Sequence, residues 1–394
     1  MDNDMTSRQR MLAALSCQPV DQVPCAFMLF EALRRQCRDY PEFVARQRSM
    51  GLDVVVNLGD WLHGQSAEQA DLPGVPVEAG EGVEVRHWRE TPPGSAYQVL
   101  VKEISTPDGR LTTEVNLTPD WATLERVPLF DDWLVPRSRK FLVETRADLR
   151  ALRHLLTPPS ARAGEVVASA VAQARSFADQ HALLLQAGWG VGLEAGVWLC
   201  GLERLLWSAI DEPAFVEELV GLLAEWNLSR MRPVLAAGVD LFVRRGWYEG
   251  TSFWSPDQFR RLVLPSLQAE ADLAHEAGAR FGYINTTGTM GILDMILEAG
   301  VDVLIGVDPV QGVGTDLPAM REQTRGHLCL WGGVNGFVTV QTGTEDGVRR
   351  EVREALRCLG PDGFILSPID NVTDTSEATW RNVHALVDEW QRLR

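Results

Sequence analysis

Three joints of this chain repeat one local phrase: "MGLDVVV" at 50–56, "AGVDLFV" at 237–243 and "AGVDVLI" at 299–305. In each, a helix-like stretch stops at Gly, one apolar residue follows, and Asp opens a short apolar run. Gly suits the left-handed position just past a helix end. The runs that follow are too short and too uniformly apolar for surface strands, which alternate. Repeated helix-to-strand joints with buried strands indicate parallel β/α architecture.

Eight such runs occur: "CAFML" (25–29), "DVVVNL" (53–58), "LLLQAG" (183–188), "DLFVRR" (240–245), "RFGYIN" (280–285), "DVLIGV" (302–307), "LCLWGG" (328–333) and "FILSPI" (364–369). Eight units predict a closed (β/α)8 TIM barrel. An open doubly wound sheet is the alternative, but no G-x-G-x-x-G loop follows the first run. The whole of 1–394 reads as one barrel domain. The segment 1–20 is expected to form a helix outside the barrel, at its bottom. Residues 80–120 break the rhythm: "VEVRHWRE", "YQVLVKEI" and "LTTEVN" alternate in strand fashion around the turn signals "TPPG" and "TPDG", predicting a small antiparallel insertion.

Composition narrows the function classes. A net charge of -17 disfavours a nucleic-acid partner, which needs a basic face. No apolar run is long enough to span a membrane, and the start "MDNDMTSRQRMLAAL" lacks a secretion-signal layout. The six cysteines are scattered without a C-x-x-C pair, as expected for reduced thiols and a cytoplasmic location.

In a barrel of this kind, chemistry sits at the C-terminal ends of the strands. That rule converts the runs into a site. The first leads to Glu31, the second to Asp60, Trp61 and His63, and the third to Trp189. The fourth delivers Arg244 and Arg245, then Trp247, Tyr248 and Glu249. The fifth delivers Asn285 and Thr287, the sixth Asp308, the seventh Asn335, and the eighth Asp370 and Asn371. Asp60, Asp370 and Arg244 are the candidate catalytic groups, and Glu31, Trp189, Trp247, Tyr248, Asn285, Thr287, Asp308, Asn335 and Asn371 the candidate substrate contacts. Each also has a bland reading. Asp60 could cap a helix, Asn285 and Thr287 could satisfy loop backbone, and Arg244 could pair with a carboxylate inside the barrel.

The stretches "TSRQRMLAALSCQPVDQVPCAFM", "GVDLFVRRGWYEGTSFWSPDQFRRLVLPSLQAEADLAHEAG", "INTTGTMGILDMILEAGVDVLIGVDP", "LWGGVNG" and "FILSPIDNV" resemble the uroporphyrinogen decarboxylase superfamily, which also holds cobalamin-linked methyltransferases. The resemblance implies a TIM-type barrel and two candidate activities. In the decarboxylases, arginines near strand one grip an acidic substrate and an Asp follows strand two. Here Leu29 and Phe30 interrupt the first pattern, with Arg34, Arg35 and Arg38 later, while Asp60 matches the second. In the methyltransferases, a His-x-Cys after strand five and a Cys after strand eight hold zinc. Here Asn285, Thr287 and Asp370 stand at those positions, so no zinc is expected.

The leading expectation is therefore a methyltransferase that binds a small methylated compound and passes its methyl group to a corrinoid (cobalamin) on a partner protein. The alternatives are a cofactor-independent decarboxylase of a tetrapyrrole or other carboxylate, and a non-catalytic binding protein. Relatives resemble dimers, which makes a homodimer the oligomeric expectation.

Overall fold

The computed structural model describes residues 5–62, 78–121 and 125–394, except the side chain of Trp189. The chain folds as two compact units. One comprises Met1–Asn57, Gln173–Gln186 and Val239–Arg394, and the other Leu58–Ala172 and Ala187–Gly238. The sequence had suggested a single domain with one insertion.

The first unit is built on a curled parallel sheet. Its strands are β1 (Val55–Asn57), then, after the antiparallel strands described below, β6 (Leu184–Gly190), β7 (Leu241–Arg245), β8 (Arg280–Ile284), β9 (Val303–Val307), β10 (Cys329–Asn335) and β11 (Phe364–Ile369). They neighbour one another in that order. β7, β9, β10 and β11 are buried at every position, which explains their uninterrupted apolar spelling.

Seven of the eight expected strands are thus present. The first run, 25–29, is not a strand. It touches β11 through isolated bridges, Cys25 with Leu366 and Leu29 with Asn371. On its other side the Asp53 amide donates to the Cys25 carbonyl at 2.8 Å. Leu366 N donates to the Pro24 carbonyl at 2.9 Å and Ala26 N to the Leu366 carbonyl at 3.0 Å, but the pairing does not extend into a ladder. The expectation of eight strand ladders is corrected to a seven-stranded sheet with a bridged eighth segment.

The repeated joints explain how the strand starts are fixed. Gly51, Gly238 and Gly300 all have positive φ. The Asp two residues later accepts an amide from a neighbouring segment. Asp53 takes Cys25 N at 3.3 Å, Asp240 takes Leu185 N at 2.8 Å and Asp302 takes Phe281 N at 2.7 Å. Each carboxylate also meets an arginine: Arg10 with Asp53, Arg8 and Arg175 with Asp240, and Arg280 with Asp302. Arg8 and Arg10 lie on the helix Ser7–Leu15, which begins with a Thr6 capping box. The N-terminal helix is therefore fastened to the strand-start end of the sheet, away from the strand tips.

The second unit contains an antiparallel sheet ordered β2 (Glu84–Glu90), β3 (Val99–Thr106), β4 (Gly109–Asn116) and β5 (Ser138–Lys140). The first three match the alternating runs expected at 80–120. The fourth is a short strand the sequence did not signal. The long helix Pro213–Ala236 belongs to this second unit. No described helix is long and apolar enough to cross a membrane.

Candidate functional site

The site is built from the strand tips of the first unit. β7 ends in Arg244 and Arg245, both buried. Arg244 reaches both oxygens of Glu249 at 3.0 Å, Glu270 Oε1 at 3.2 Å and Ser266 Oγ at 2.9 Å. Tyr283, from β8, donates its hydroxyl to Glu249 Oε2 at 2.8 Å. Burial alone would lower the arginine's pKa, but the charges of Glu249 and Glu270 outweigh it and raise it. The expectation that Arg244 faces substrate does not describe this geometry. Its guanidinium is enclosed by two carboxylates, as the bland reading held, and it ties the loop after β7 to the sheet.

The polar run "NTTGT" after β8 fastens two loops together. Asn285 is fully buried; its Nδ2 donates to the Gly246 carbonyl at 3.0 Å and its Oδ1 accepts from Thr289 Oγ1 at 2.7 Å. Thr287 Oγ1 lies 2.7 Å from Ser252 Oγ, and Thr251 Oγ1 donates to the Gly288 carbonyl at 2.6 Å. The loops approach so closely that a Cβ on Gly250 would lie 1.9 Å from the Thr287 carbonyl oxygen. Only glycine fits there. Asn285 thus serves backbone groups, while half-buried Thr287 sits at the edge of the clasp.

A hydrogen-bond chain then crosses four neighbouring tips. Asp308, after β9, accepts Val310 N and Gln311 N on Oδ1, at 2.8 and 3.0 Å. Its Oδ2 accepts Asn335 Nδ2, from the end of β10, at 2.8 Å. The same Nδ2 reaches Gln311 Oε1 at 2.9 Å, and Asn335 Oδ1 caps the π-helical turn Gly336–Gln341 by accepting Val338 N at 2.6 Å. Gln341 Nε2 continues to the Asn371 carbonyl at 3.3 Å. Asn371 Oδ1 accepts Glu31 N at 3.0 Å. Asp308, Asn335, Asn371 and Glu31 are therefore brought together as one frame. The Glu31 side chain turns aside to Arg35 at 2.9 Å.

Asp370 stands exposed at the end of β11, with φ 63°. A non-glycine residue in this region is uncommon, although Asp tolerates it better than most. Its neighbours are both anchored, Ile369 in the β10–β11 ladder and Asn371 in the frame. Trp247 and Tyr248 are half-buried after β7, with the Arg245 guanidinium 4.6 Å from the Trp247 ring centroid and Tyr248 beside Phe253. Asp60 is exposed in the turn Leu58–Trp61 directly after β1 and belongs to the second unit. The Trp189 side chain and His63 lie outside the described residues.

Among the participants not foreseen are Glu270, Tyr283 and Glu351. Glu270 and Glu351 each occupy, or border, the apolar face of a helix. Glu270 lies among buried Leu267, Ala271 and Ala274, and Glu351 between buried Val348 and Val352. A carboxylate in the apolar stripe was the available signal. Burial pushes the Glu351 carboxyl up, against the opposing hydrogen bonds from Thr339 and Asn335. Among the described residues no three His, Cys, Asp or Glu side chains gather as a metal site.

A family model described as uroporphyrinogen decarboxylase (URO-D) matches residues 132–393. No curated protein matches the chain. Among solved structures, a methyltransferase from Methanosarcina mazei aligns over 99% of both chains, with a TM-score of 0.59 at 17% identity. A B12-independent methionine synthase from Shewanella sp. W3-18-1 aligns over 89% of this chain and 84% of its own, with a TM-score of 0.45 at 11% identity. At 17% identity the likeness to the Methanosarcina mazei structure is one of fold.

Proposed function

Because this chain belongs to the uroporphyrinogen decarboxylase family, we propose that it is a methyltransferase that takes the methyl group of a small methylated compound at the strand tips and gives it to a corrinoid carried by a partner protein. The observation that favours this over decarboxylation is how the arginines are used. A substrate with several carboxylates needs several guanidinium groups facing it. Arg35 pairs with Glu31 and Arg38 with Glu42, both arginines being exposed, and Arg34 lies over the Phe43 ring. Arg244 is held by Glu249 and Glu270, and Arg245 stacks on Trp247. What the tips offer instead is carboxylate, amide, hydroxyl and aromatic surface, which suits a compact neutral or cationic ligand.

In this reading the bond from the methyl carbon to its heteroatom breaks, with the electron pair left on the heteroatom. The corrinoid supplies the nucleophilic centre that accepts the methyl group. The leaving atom then needs a proton. Asp370 is the proposed donor, and Asp60, directly after β1, is the alternative. Covering an exposed carboxylate with substrate and partner desolvates it and raises its pKa toward the range of a useful acid. Trp247 and Tyr248 would supply the wall. No zinc-thiolate centre takes part, because Asn285 and Thr287 offer neutral oxygens already engaged in the loop clasp.

The test is to incubate the protein with reduced corrinoid, free and protein-bound, and a panel of methyl ethers, methylamines and methyl thioethers, following the cobalt absorption spectrum. Methylation of cobalt with one donor class supports the reading. No spectral change with any donor, together with carbon dioxide release from a tetrapyrrole carboxylate, would replace it with the decarboxylase.

A further inference from the structure

We propose that Glu351 is a positioning residue for the strand-tip site, holding the turn after β10 through Asn335 and Thr339. Its bearing on catalysis rests on the methyl-transfer reading; its bearing on the turn does not.

Glu351 lies on the helix Glu345–Leu359, behind the sheet. Its two oxygens take one donor each from the two ends of one short segment. Asn335 N reaches Oε2 at 3.1 Å and Thr339 Oγ1 reaches Oε1 at 2.5 Å. The first donor immediately precedes the π-helical turn Gly336–Gln341 and the second lies within it. Such turns trade ordinary helical hydrogen bonds for a wider ring and need support from outside. Among the described residues Glu351 forms no ion pair, and it accepts hydrogen bonds from neutral donors of that segment. That sets it apart from Glu249, Glu270 and Glu389, each of which meets an arginine.

The consequence for the site follows from Asn335. One residue carries the backbone amide that Glu351 holds and the side chain that clamps Asp308 and Gln311. The far end of the turn carries Gln341, which reaches Asn371 beside Asp370. Releasing Glu351 should therefore loosen the loops after β9, β10 and β11 together while leaving the sheet intact. The turn also presents Phe337 and Val338, 59% and 41% exposed, and the β9 loop presents Val310 and Val313, 45% and 66% exposed. The placement of this apolar rim depends on the same support.

What the turn requires is a hydrogen-bonding group of the right length. In Glu351→Gln the amide carbonyl can accept Asn335 N–H while the NH2 donates to Thr339 Oγ1. In Glu351→Met the length and volume remain but neither bond does. The experiment compares both variants with the full-length parent by amide hydrogen exchange. Exchange over 335–341 and 308–313 should quicken about tenfold or more in the Met variant, with the rest of β10 and β11 unchanged, and the Gln variant should stay close to the parent. Equal exchange in the Met and Gln variants overturns the proposal. If the loops loosen as expected, KM for the methyl donor should be several-fold higher in the Met than in the Gln variant, with similar kcat. Unchanged KM and kcat despite a loosened turn would confine Glu351 to a structural role. Absence of methyl transfer in the parent itself would instead overturn the functional reading and leave the exchange result standing.

Discussion

Arg244 donates to both carboxylate oxygens of Glu249 at 3.0 Å, and neither side chain is exposed to solvent. A bidentate pair in so dry a setting is costly to form and costlier to break. It binds a loop that carries Trp247 and Tyr248 to the strand that precedes it, so stability and site geometry are coupled at this point.

Arg244→Met should cost about 3–5 kcal/mol in urea unfolding, because it leaves Glu249 and Glu270 buried without their cation. Tyr283→Phe, which removes only the hydroxyl to Glu249, should cost about 1 kcal/mol. Equal losses would mean the ion pair is not what holds the loop.

Gly250→Ala should destabilise the first unit by about 1–3 kcal/mol, since the new Cβ would meet the Thr287 carbonyl oxygen at 1.9 Å. Gly221→Ala, inside the helix Pro213–Ala236 with nothing within 4 Å, should instead gain about 0.5–1 kcal/mol. Thermal unfolding of the two variants reads the opposite signs directly.

Two carboxylates should show opposite pH signatures. Burial pushes the Asp240 carboxyl up, but hydrogen bonds from Arg8 and Arg175 more than reverse this and leave its pKa below the usual range. Its contribution is present above the ordinary Asp range and disappears as pH falls through the folded-state pKa. Asp240→Asn should therefore cost most near neutrality and nothing in strong acid. Glu351 is raised by burial, against the hydrogen bonds from Thr339 and Asn335, with Asp308 adding to the rise and Arg350 opposing it. The folded state favours its protonated form below the ordinary Glu range, and this advantage is lost as pH rises through the folded-state pKa. Glu351→Gln should gain stability near neutrality and none in acid. Unfolding measured across that range checks both signs.

At Asp370 stability and activity should separate. Asp370→Gly removes the strain of φ 63°, while methyl transfer falls with the loss of the carboxyl. Asp370→Asn keeps the backbone preference and should lose activity with little change in stability. Full activity in both would move the proton-donor role to Asp60.

Replacing Arg34, Arg35 and Arg38 together by Gln should leave ligand binding unchanged, because all three lie in exposed ion pairs or over Phe43. Calorimetric titration with the methyl donor found by cobalt methylation tests this. A large loss of affinity would bring back the polyanion-binding alternative.

The repeated "GxD" joints and the uniformly apolar runs determined the parallel sheet, its order and the end at which a site could lie. Backbone conformation at Gly and burial of short strands are local properties that adjacent residues specify. The run at 25–29 shows the limit. Its composition matched a strand, but whether a ladder forms depends on partners that are distant in sequence, and only two bridges result. Side-chain allegiance is more distant still. The spelling around Arg244 does not distinguish a substrate clamp from a buried ion pair; folding decides it by closing Glu249 from the next loop and Glu270 from a more distant helix on the guanidinium. Asn285 and Thr287 read as ligand groups until folding brought Gly246 and Ser252 against them. Hydrogen bonds are satisfied by whichever group the tertiary structure places within about 3 Å, and that proximity is not written at any one position of the sequence.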